Sequence, residues 1–423
     1  MSLLSRVSAP AAVPELADLV AGLLSHASRR SQEGQPEGQQ EGLQHRVLHG
    51  PVGLGTASAR FPPAGPAVLP VPPARHAESG TESPQPPSGP TGLGTSSLRV
   101  TAPARRQRVP ELYCPPPLRD DPALAEEVND RLIGWAAETG IYPGRLDQLR
   151  STSFGRFIML THPDTDDADR LLAAAKCAVA EWAADDHYCD DESAGSRPAV
   201  LAARLGVAYA AADPAQMPAR YRQDLEQQML GDPVRVALRS GIAHLSRYAS
   251  HAQVNRLRHE LAMLFVAFDA EASWRATGHT PAVVEYLIHR QQNSFLPCIG
   301  AIDAIGGYEV PAEAYAHPRV RGPVLKAALA ATLVNDLYSL ARQSTSNGAD
   351  FDLPSIIAAQ EGCSLAEGVA RTVDIHDELV RDFETEAAVL AADGSPAVLR
   401  FMAGVWAWLG GNLAWHSSSE RYG

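Results

Sequence analysis

Apolar residues recur every three or four positions along a segment that ends in aspartates, "DADRLLAAAKCAVAEWAADDHYCDDE", which begins at Asp167. This spacing predicts one amphipathic helix with a single buried stripe. Asp186 lies one turn beyond Trp182 and Asp190 one turn beyond Asp186, with Asp185 beside them. The carboxylates therefore continue the face that points inward. The apolar part of the stripe consists of Leu171, Leu172, Ala175, Ala178, Val179 and Trp182.

A second apolar segment, "RGPVLKAALAATLVNDLYSLARQ", begins at Arg321 and also ends in polar residues. Asn335, Ser339 and Gln343 are spaced four apart, so their side chains form one stripe down a predicted helix. Arg342 lies close to that stripe. Polar side chains on the inward face of an apolar helix need partners. The core face that leads into the stripe consists of Val324, Leu325, Ala328, Leu329 and Thr332.

Both polar ends indicate a site for a cation. Buried carboxylates that lie together repel one another and take up protons unless a positive group joins them. Oxygen ligands without His or Cys favour Mg²⁺. Taken alone, the acidic segment is equally compatible with a solvated helix end. The Asn/Ser/Gln stripe alone is compatible with a buried polar network or a helix end frayed toward water.

The rest of the chain divides into two parts of different composition. Of the 33 prolines, 19 lie in residues 1–117, among low-complexity segments such as "SGTESPQPPSGPTGLGTSS". These segments lack the apolar content that offsets ordering entropy, so residues 1–112 are predicted to be a disordered arm. Helical periodicity then continues, interrupted at "IYPG", "THPDTDD", "SAGSRP" and "TGHTP", with few alternating strand-like runs. Residues 113–423 are therefore predicted to form one all-α domain.

Charge and cysteine content narrow the class of protein. The net charge of −13 argues against nucleic acid and anionic membranes as main partners. Five widely spaced cysteines form neither a disulfide framework nor a zinc pattern, which is typical of a cytoplasmic protein. No long uncharged apolar run predicts a membrane span. The first 24 residues do not read as a signal peptide, because Glu15 and Asp18 interrupt the apolar stretch.

Taken together and in order, these motifs resemble those of the class I terpene synthases of bacteria. That family carries an aspartate-rich motif and, on a facing helix, the pattern (N/D)DxxSxxx(E). Further segments of this chain match: "TSFGRFIMLTHP", "EASWRATGHTPAVVEYLIHRQQNSF", "FDLPSIIAAQEGCSLAEGV" and the final "SSSERYG". The resemblance covers most of residues 113–423 and leaves out the arm.

The resemblance implies an all-α class I terpene synthase domain and a role for each matching residue. Three Mg²⁺ ions would be held by Asp185, Asp186, Asp190, Asn335, Ser339 and Gln343. The diphosphate of a small allylic substrate would be bound by Arg290, Asn293, Ser294, Arg342, Arg421 and Tyr422, with Arg290, Arg421 and Tyr422 acting in catalysis. Aromatic side chains would line the hydrocarbon cavity, although packing in the core explains each of them equally well: Phe157, Trp182, Tyr188, Phe295 and Trp415.

Two departures from the family pattern leave questions open. Asp190 is five residues after Asp185 and four after Asp186, whereas the family usually places its last Asp four after the first. The pair of aspartates that binds metal is therefore open. Gln343 stands where the pattern has Glu, which removes one formal negative charge and is expected to weaken one metal site.

Three functional hypotheses follow from the sequence. The spelling "DDHYCDD", together with the Pro-rich arm, resembles those family members that cyclise 2-methylgeranyl diphosphate, a C11 substrate, and end in water capture. The second reading is a cyclase that ends in deprotonation or uses geranyl or farnesyl diphosphate. The third, which Gln343 favours, is a protein that binds a diphosphate or a partner without turnover. A homodimer is left open as the assembly.

Overall fold

The structure is a computed structural model that describes residues 109–190, 198–343 and 351–419, without the side chains of Asp190, Arg342, Gln343 and Asp393. Within these residues the chain is helical and has no β-strand, so the prediction of an all-α fold is confirmed. The helices are α1 Pro122–Thr139, α2 Leu146–Ser151, α3 Phe154–Thr161, α4 Ala168–Asp185, α5 Pro198–Ala212, α6 Arg222–Leu230, α7 Pro233–Leu245, α8 His251–Thr277, α9 Val283–Gln292, α10 Leu296–Ile299, α11 Ile302–Ile305, α12 Ala312–Ala316, α13 Pro318–Gln343, α14 Leu353–Glu361, α15 Leu365–Asp393 and α16 Pro396–Ser418.

Side-chain caps and glycines define where the site-bearing helices begin and end. The carboxylate of Asp167 accepts hydrogen bonds from the first free amides of α4. Ser250 and Gln253 form a reciprocal capping box at the start of α8. Gly140 and Gly278 adopt left-handed conformations at the ends of α1 and α8. The predicted breaks at "IYPG", "THPDTDD" and "TGHTP" therefore fall between helices, whereas most of "SAGSRP" lies outside the described residues.

Two glycines let α3 pack tightly between α1 and α16. A Cβ atom on Gly155 would lie 2.3 Å from the backbone oxygen of Ala125 in α1. A Cβ atom on Gly411 of α16 would lie 2.6 Å from the backbone oxygen of Leu160 in α3. Both distances are too short for any other residue without a backbone shift. This packing brings the aromatic side chains of α3 against those of α16.

The long helix α13 lies in the core, where it contacts α9, α14, α15 and α16. Among the described residues, its Pro318–Ala341 stretch is long and apolar enough to cross a membrane, but 72% of that stretch is buried inside the protein. Burial of this kind is expected of a core helix in a packed helical domain. The aromatic and aliphatic core around α13 therefore provides a rigid support for Asn335 and Ser339.

A segment without regular secondary structure, residues 109–119, contacts several helices and is here called the N-terminal strap. Leu112 is buried against Val334 and Leu337 of α13. The backbone amide of Tyr113 donates to Asp377 at 2.9 Å, and its hydroxyl donates to the buried Glu384 at 2.7 Å. The predicted arm included Leu112, yet this residue is part of the core. Residues 1–108 lie outside the described residues, so the arm and the domain boundary stay predictions.

Candidate active site

The acidic segment points inward, as its periodicity predicted. Trp182 is fully buried, Asp185 is 1% exposed and Asp186 is 8% exposed. The predicted helix does not stay α-helical, because a π-helical turn spans Asp186–Asp190. A π turn closes i→i+5 backbone hydrogen bonds instead of the i→i+4 bonds of an α turn, so α-helical spacing does not hold beyond Asp185. The side chain of Asp190 lies outside the described residues, and its metal role stays a prediction.

Asn335 and Ser339 form a second buried wall on α13. They are 1% and 4% exposed, respectively, which fits their predicted inward face. The Ser339 hydroxyl is buried and has no hydrogen-bond partner among the described residues. An oxygen left in that state indicates a ligand, since buried polar atoms are otherwise paired. Carboxylate, amide and hydroxyl oxygens together are the donor set of a hard divalent cation. Gln343 ends α13 one turn beyond Ser339, and its side chain and that of Arg342 are not described.

Arg290, the predicted diphosphate sensor, is buried at the end of α9 beside this second wall. It is 2% exposed and donates to Asp336 at 2.5 Å, to Asn335 at 3.4 Å and to the backbone oxygen of Asn293 at 3.2 Å. Burial is the largest single influence and would lower its pKa, but Asp336, Tyr286 and Glu271 together raise the pKa above its ordinary value. The guanidinium is therefore a permanent positive charge next to Asn335.

The two residues predicted to report substrate binding lie at the break after α9. The Asn293 amide donates to Glu271 at 3.2 Å, and its oxygen is buried without a hydrogen-bond partner among the described residues. The hydroxyl of Ser294 donates to the backbone of Gln291 and accepts from the amide of Leu296. Ser294 therefore stabilises the helix break, and Asn293 is the one of the pair with an oxygen available to a ligand.

A cluster of aromatic rings connects the two walls. Trp182 packs against Phe295 with 5.7 Å between ring centroids, and Phe157 lies 4.7 Å from Trp415. Four of the five predicted aromatic residues are therefore brought together. Rings continue from Phe295 to His416 at 6.2 Å and on to Tyr338, which precedes Ser339, at 5.7 Å. The short helix α10, which follows Phe295, contacts both α4 and α13.

Tyr188, the fifth predicted aromatic residue, is not in this cluster. Its hydroxyl donates to the N-cap carboxylate of α7, Asp232, at 2.8 Å, and the guanidinium of Arg204 lies over its ring. Tyr188 lies within the π turn Asp186–Asp190, and the sequence alone indicates no direction for its ring. The predicted Arg421 and Tyr422 lie outside the described residues, which end at Ser419.

Four residues of the site were not singled out from the sequence. Phe154 and Trp408 join the aromatic cluster at 5.1 Å from Trp182 and 5.5 Å from Phe157. Asp336 pairs with Arg290, and Tyr142 donates to Asp186. Asp336 could have been found, because it is the second residue of the family pattern. The contacts of the other three depend on packing between helices that are distant in sequence.

The helical fold and the two oxygen-rich walls define a class of protein. A family model described as terpene synthase family 2, C-terminal metal binding, matches residues 176–382, which include both walls and Arg290. The chain belongs to the terpene synthases, and its architecture is that of the class I enzymes of this family. It is therefore an enzyme of the terpene synthase or cyclase type.

Within this family the chain is similar to 2-methylisoborneol synthases. It is 40% identical over 359 residues to the enzyme of Streptomyces lasalocidi, covering 79% of this chain and 74% of the relative. It is 37% identical over 336 residues to that of Saccharopolyspora erythraea, covering 78% and 93%. A crystal structure of 2-methylisoborneol synthase from Streptomyces coelicolor in complex with Mg²⁺ and 2-fluoroneryl diphosphate matches with a TM-score of 0.71 and 39% identity, covering 74% of this chain and 97% of that one.

Proposed function

We propose that this protein ionises 2-methylgeranyl diphosphate with Mg²⁺ and cyclises it to 2-methylisoborneol with release of diphosphate. The observation that carries the proposal is the aromatic cluster between the two buried oxygen-rich walls. The substrate and product are proposed from the similarity to 2-methylisoborneol synthases.

The polar walls would hold the leaving group. Bound Mg²⁺ supplies positive charge that stabilises the diphosphate as it departs. Asp185, Asp186 and Asp190 would ligate metal from one side, and Asn335, Ser339 and Gln343 from the other, with three ions expected from the family resemblance. Arg290 is placed beside Asn335 with a fixed positive charge, which supports its role as a diphosphate ligand. Arg342, Arg421 and Tyr422 are proposed to add further contacts.

The aromatic cluster would enclose the hydrocarbon. Breaking the carbon–oxygen bond leaves an allylic cation, which must be kept from bulk water until ring closure is complete. Ring faces of Trp182, Phe157 and Phe295 attract positive charge. The proposed sequence is isomerisation, closure of one ring, closure of a second ring to a bornyl-type cation, and attack by one water molecule. The attacking water then loses a proton, which leaves a neutral alcohol.

One incubation series tests the proposal against the alternatives. The purified protein is mixed with Mg²⁺ and, separately, with geranyl, 2-methylgeranyl or farnesyl diphosphate, and the volatiles are analysed by gas chromatography. We expect 2-methylisoborneol from the C11 substrate as the main product. A bicyclic alkene from that substrate would indicate termination by deprotonation. Turnover of geranyl or farnesyl diphosphate in its place would show that the proposed substrate is wrong. Diphosphate binding without product from any of the three would overturn the catalytic proposal.

The acidic wall is tested by Asp186→Ala. This substitution removes a carboxylate common to both spacings of the acidic motif, so most turnover should be lost while the fold is retained. Asp224→Ala on the exposed face of α6 is the matched control and should keep the wild-type rate. Wild-type rates in Asp186→Ala at limiting Mg²⁺ would rule out the metal assignment.

A further inference from the structure

Tyr142 joins a loop to the acidic wall through a buried hydrogen bond. Its hydroxyl donates to Oδ2 of Asp186 at 2.8 Å, and neither residue is more than 8% exposed. The two residues are 44 positions apart in the chain. The contact therefore fixes the loop between α1 and α2 against the end of α4.

The loop holds Tyr142 in an unusual backbone conformation. Its φ is +52°, in the left-handed region, and it lies between Gly140 at +79° and Gly144 at +73°. For a residue with a bulky side chain this conformation costs energy and persists only where the surroundings require it. The guanidinium carbon of Arg145 lies 5.6 Å from the centre of the Tyr142 ring and packs on its face. The ring is thus held so that its hydroxyl reaches Asp186.

Asp186 needs such a donor. It is the first residue of the π turn that continues α4, and it is buried. Buried carboxylate oxygens are normally hydrogen-bonded. The Tyr142 hydroxyl supplies a donor to Oδ2 and restricts the rotation of the carboxylate group. Groups that orient metal ligands in this way commonly affect metal affinity strongly when they are removed.

We infer that Tyr142 is a positioning residue, whose hydroxyl holds Oδ2 of Asp186 so that Oδ1 faces the metal and diphosphate. This inference rests on the proposed function. It adds a residue outside both metal motifs, from a loop that the sequence marks only as a helix break.

Tyr142→Phe tests the inference, because it removes the hydroxyl and keeps the ring. The first readout is the rise in Tm when Mg²⁺ and inorganic diphosphate are added together, which requires no turnover. The second is the Mg²⁺ concentration for half-maximal rate, measured separately from kcat at saturating Mg²⁺. We expect that concentration to rise about 10-fold, with a smaller Tm rise and an unchanged product.

The matched control is Tyr248→Phe. The hydroxyl of Tyr248 donates to Asp169 in the first turn of α4, at the other end of the same helix. This variant loses a bond of the same kind but should keep the wild-type Mg²⁺ requirement and Tm rise. Identical behaviour of the two variants would overturn the inference. A double variant, Tyr142→Phe with Asp186→Asn, should need no more Mg²⁺ than Asp186→Asn alone, and an additional increase would also contradict the role assigned to Tyr142.

The wild-type measurement separates this inference from the proposed function. If Mg²⁺ and diphosphate raise the Tm of the wild type but raise that of Tyr142→Phe equally, the positioning role is wrong and the proposed site stands. If the wild type shows no rise in Tm and no turnover, the proposed site is wrong and the role of Tyr142 is wrong with it.

Discussion

The guanidinium of Arg290 donates to the carboxylate of Asp336 at 2.5 Å, and the two side chains are each 2% exposed. The same carboxylate accepts from the Tyr286 hydroxyl at 3.0 Å and from the backbone amide of Leu353 at 3.2 Å. These three donors belong to α9 and α14, so Asp336 links the two helices. It supports the diphosphate sensor, while its neighbour Asn335 remains the residue predicted to bind metal.

Replacing Asp336 with Asn should destabilise the fold strongly. The substitution leaves the buried charge of Arg290 without its hydrogen-bonded carboxylate, and breaking a buried ion pair typically costs about 3–5 kcal/mol of unfolding free energy. Urea unfolding of both proteins measures the difference. The control is Asp382→Asn, whose partner Lys326 is also on α13 but whose own side chain is 51% exposed. That pair should contribute about 0–1 kcal/mol, and equal losses in the two variants would contradict this account.

The contacts of the N-terminal strap predict which N-terminal residues contribute to stability. Removing residues 1–108 should leave stability and turnover nearly unchanged, because low-complexity segments of this composition add little to a folded domain. Leu112→Ala in the full chain should lower the unfolding free energy by about 2 kcal/mol, since it leaves a cavity beside Val334 and Leu337. Leu118→Ala, at a position that is 36% exposed, is the control and should change stability by less than about 0.5 kcal/mol. Equal effects at both positions would show that the strap does not belong to the core.

Glu181 makes stability depend on pH. It lies one turn before Asp185, and burial raises its pKa to about 8, although a hydrogen bond from the thiol of Cys298 lowers it slightly. The unfolded chain loses this proton near its ordinary pKa of 4.5. Between these two values the folded state alone holds the proton, so stability falls as pH rises from about 4.5 to 8.

Glu181→Gln should remove this pH dependence. The variant should gain stability over the wild type on the order of 3 kcal/mol at pH 8 and much less at pH 5. Urea unfolding at the two pH values measures both differences. A gain of equal size at pH 5 and pH 8 would mean that Glu181 does not titrate in this interval.

Trp408 is predicted to influence the product. Its ring lies 5.0 Å from Phe295 and 5.5 Å from Phe157, and its indole N–H is buried without a partner among the described residues. Trp408→Phe should change the mixture of volatile products while the Mg²⁺ requirement stays the same. Trp406→Phe is the control, because the indole N–H of Trp406 donates to Glu384 of helix α15 at 3.2 Å. Trp406→Phe should lower stability and leave the product mixture unchanged. If Trp408→Phe lowers stability without changing the products, Trp408 serves only in packing of the core.

The sequence predicts the walls of the site better than its interior. The stripes that carry Asp185, Asp186, Asn335 and Ser339 follow from helical periodicity, which is a local property of the chain. All four lie buried as predicted. The class of fold follows for the same reason, because most segments have helical spacing and defined caps.

Long-range contacts explain what the sequence did not predict. Tyr188 was one of five aromatic candidates for lining the cavity, but it lies in the π turn at Asp186–Asp190 and its hydroxyl donates to Asp232. Phe154 reaches Trp182 through the packing of α3 against α4, two helices that are separate in the sequence. Residue spacing along the chain does not indicate which distant helices or loops bring such side chains into contact.

Gln343 is the residue where the chain departs from the family, and its replacement by Glu gives the last prediction. Helix α13 continues through Gln343, which places it one turn beyond Ser339 and two turns beyond Asn335. If its amide oxygen is a neutral substitute for a carboxylate ligand, Gln343→Glu restores one negative charge beside a divalent cation. At 4 Å and an effective dielectric constant of about 20, a pair of unit charges interacts by about 4 kcal/mol, and a divalent ion doubles that gross value.

Desolvation of the new carboxylate cancels most of this gain, so a net stabilisation of roughly 1–2 kcal/mol is expected. The Mg²⁺ concentration for half-maximal rate should therefore fall about 5- to 30-fold in Gln343→Glu. The product should not change, because the substitution lies at the metals and away from the aromatic cluster. A Mg²⁺ titration with 2-methylgeranyl diphosphate measures this, with Gln223→Glu on the exposed face of α6 as the control for added charge. An unchanged or higher Mg²⁺ requirement in Gln343→Glu would mean that this side chain does not face the metal, and the second wall would then end at Ser339.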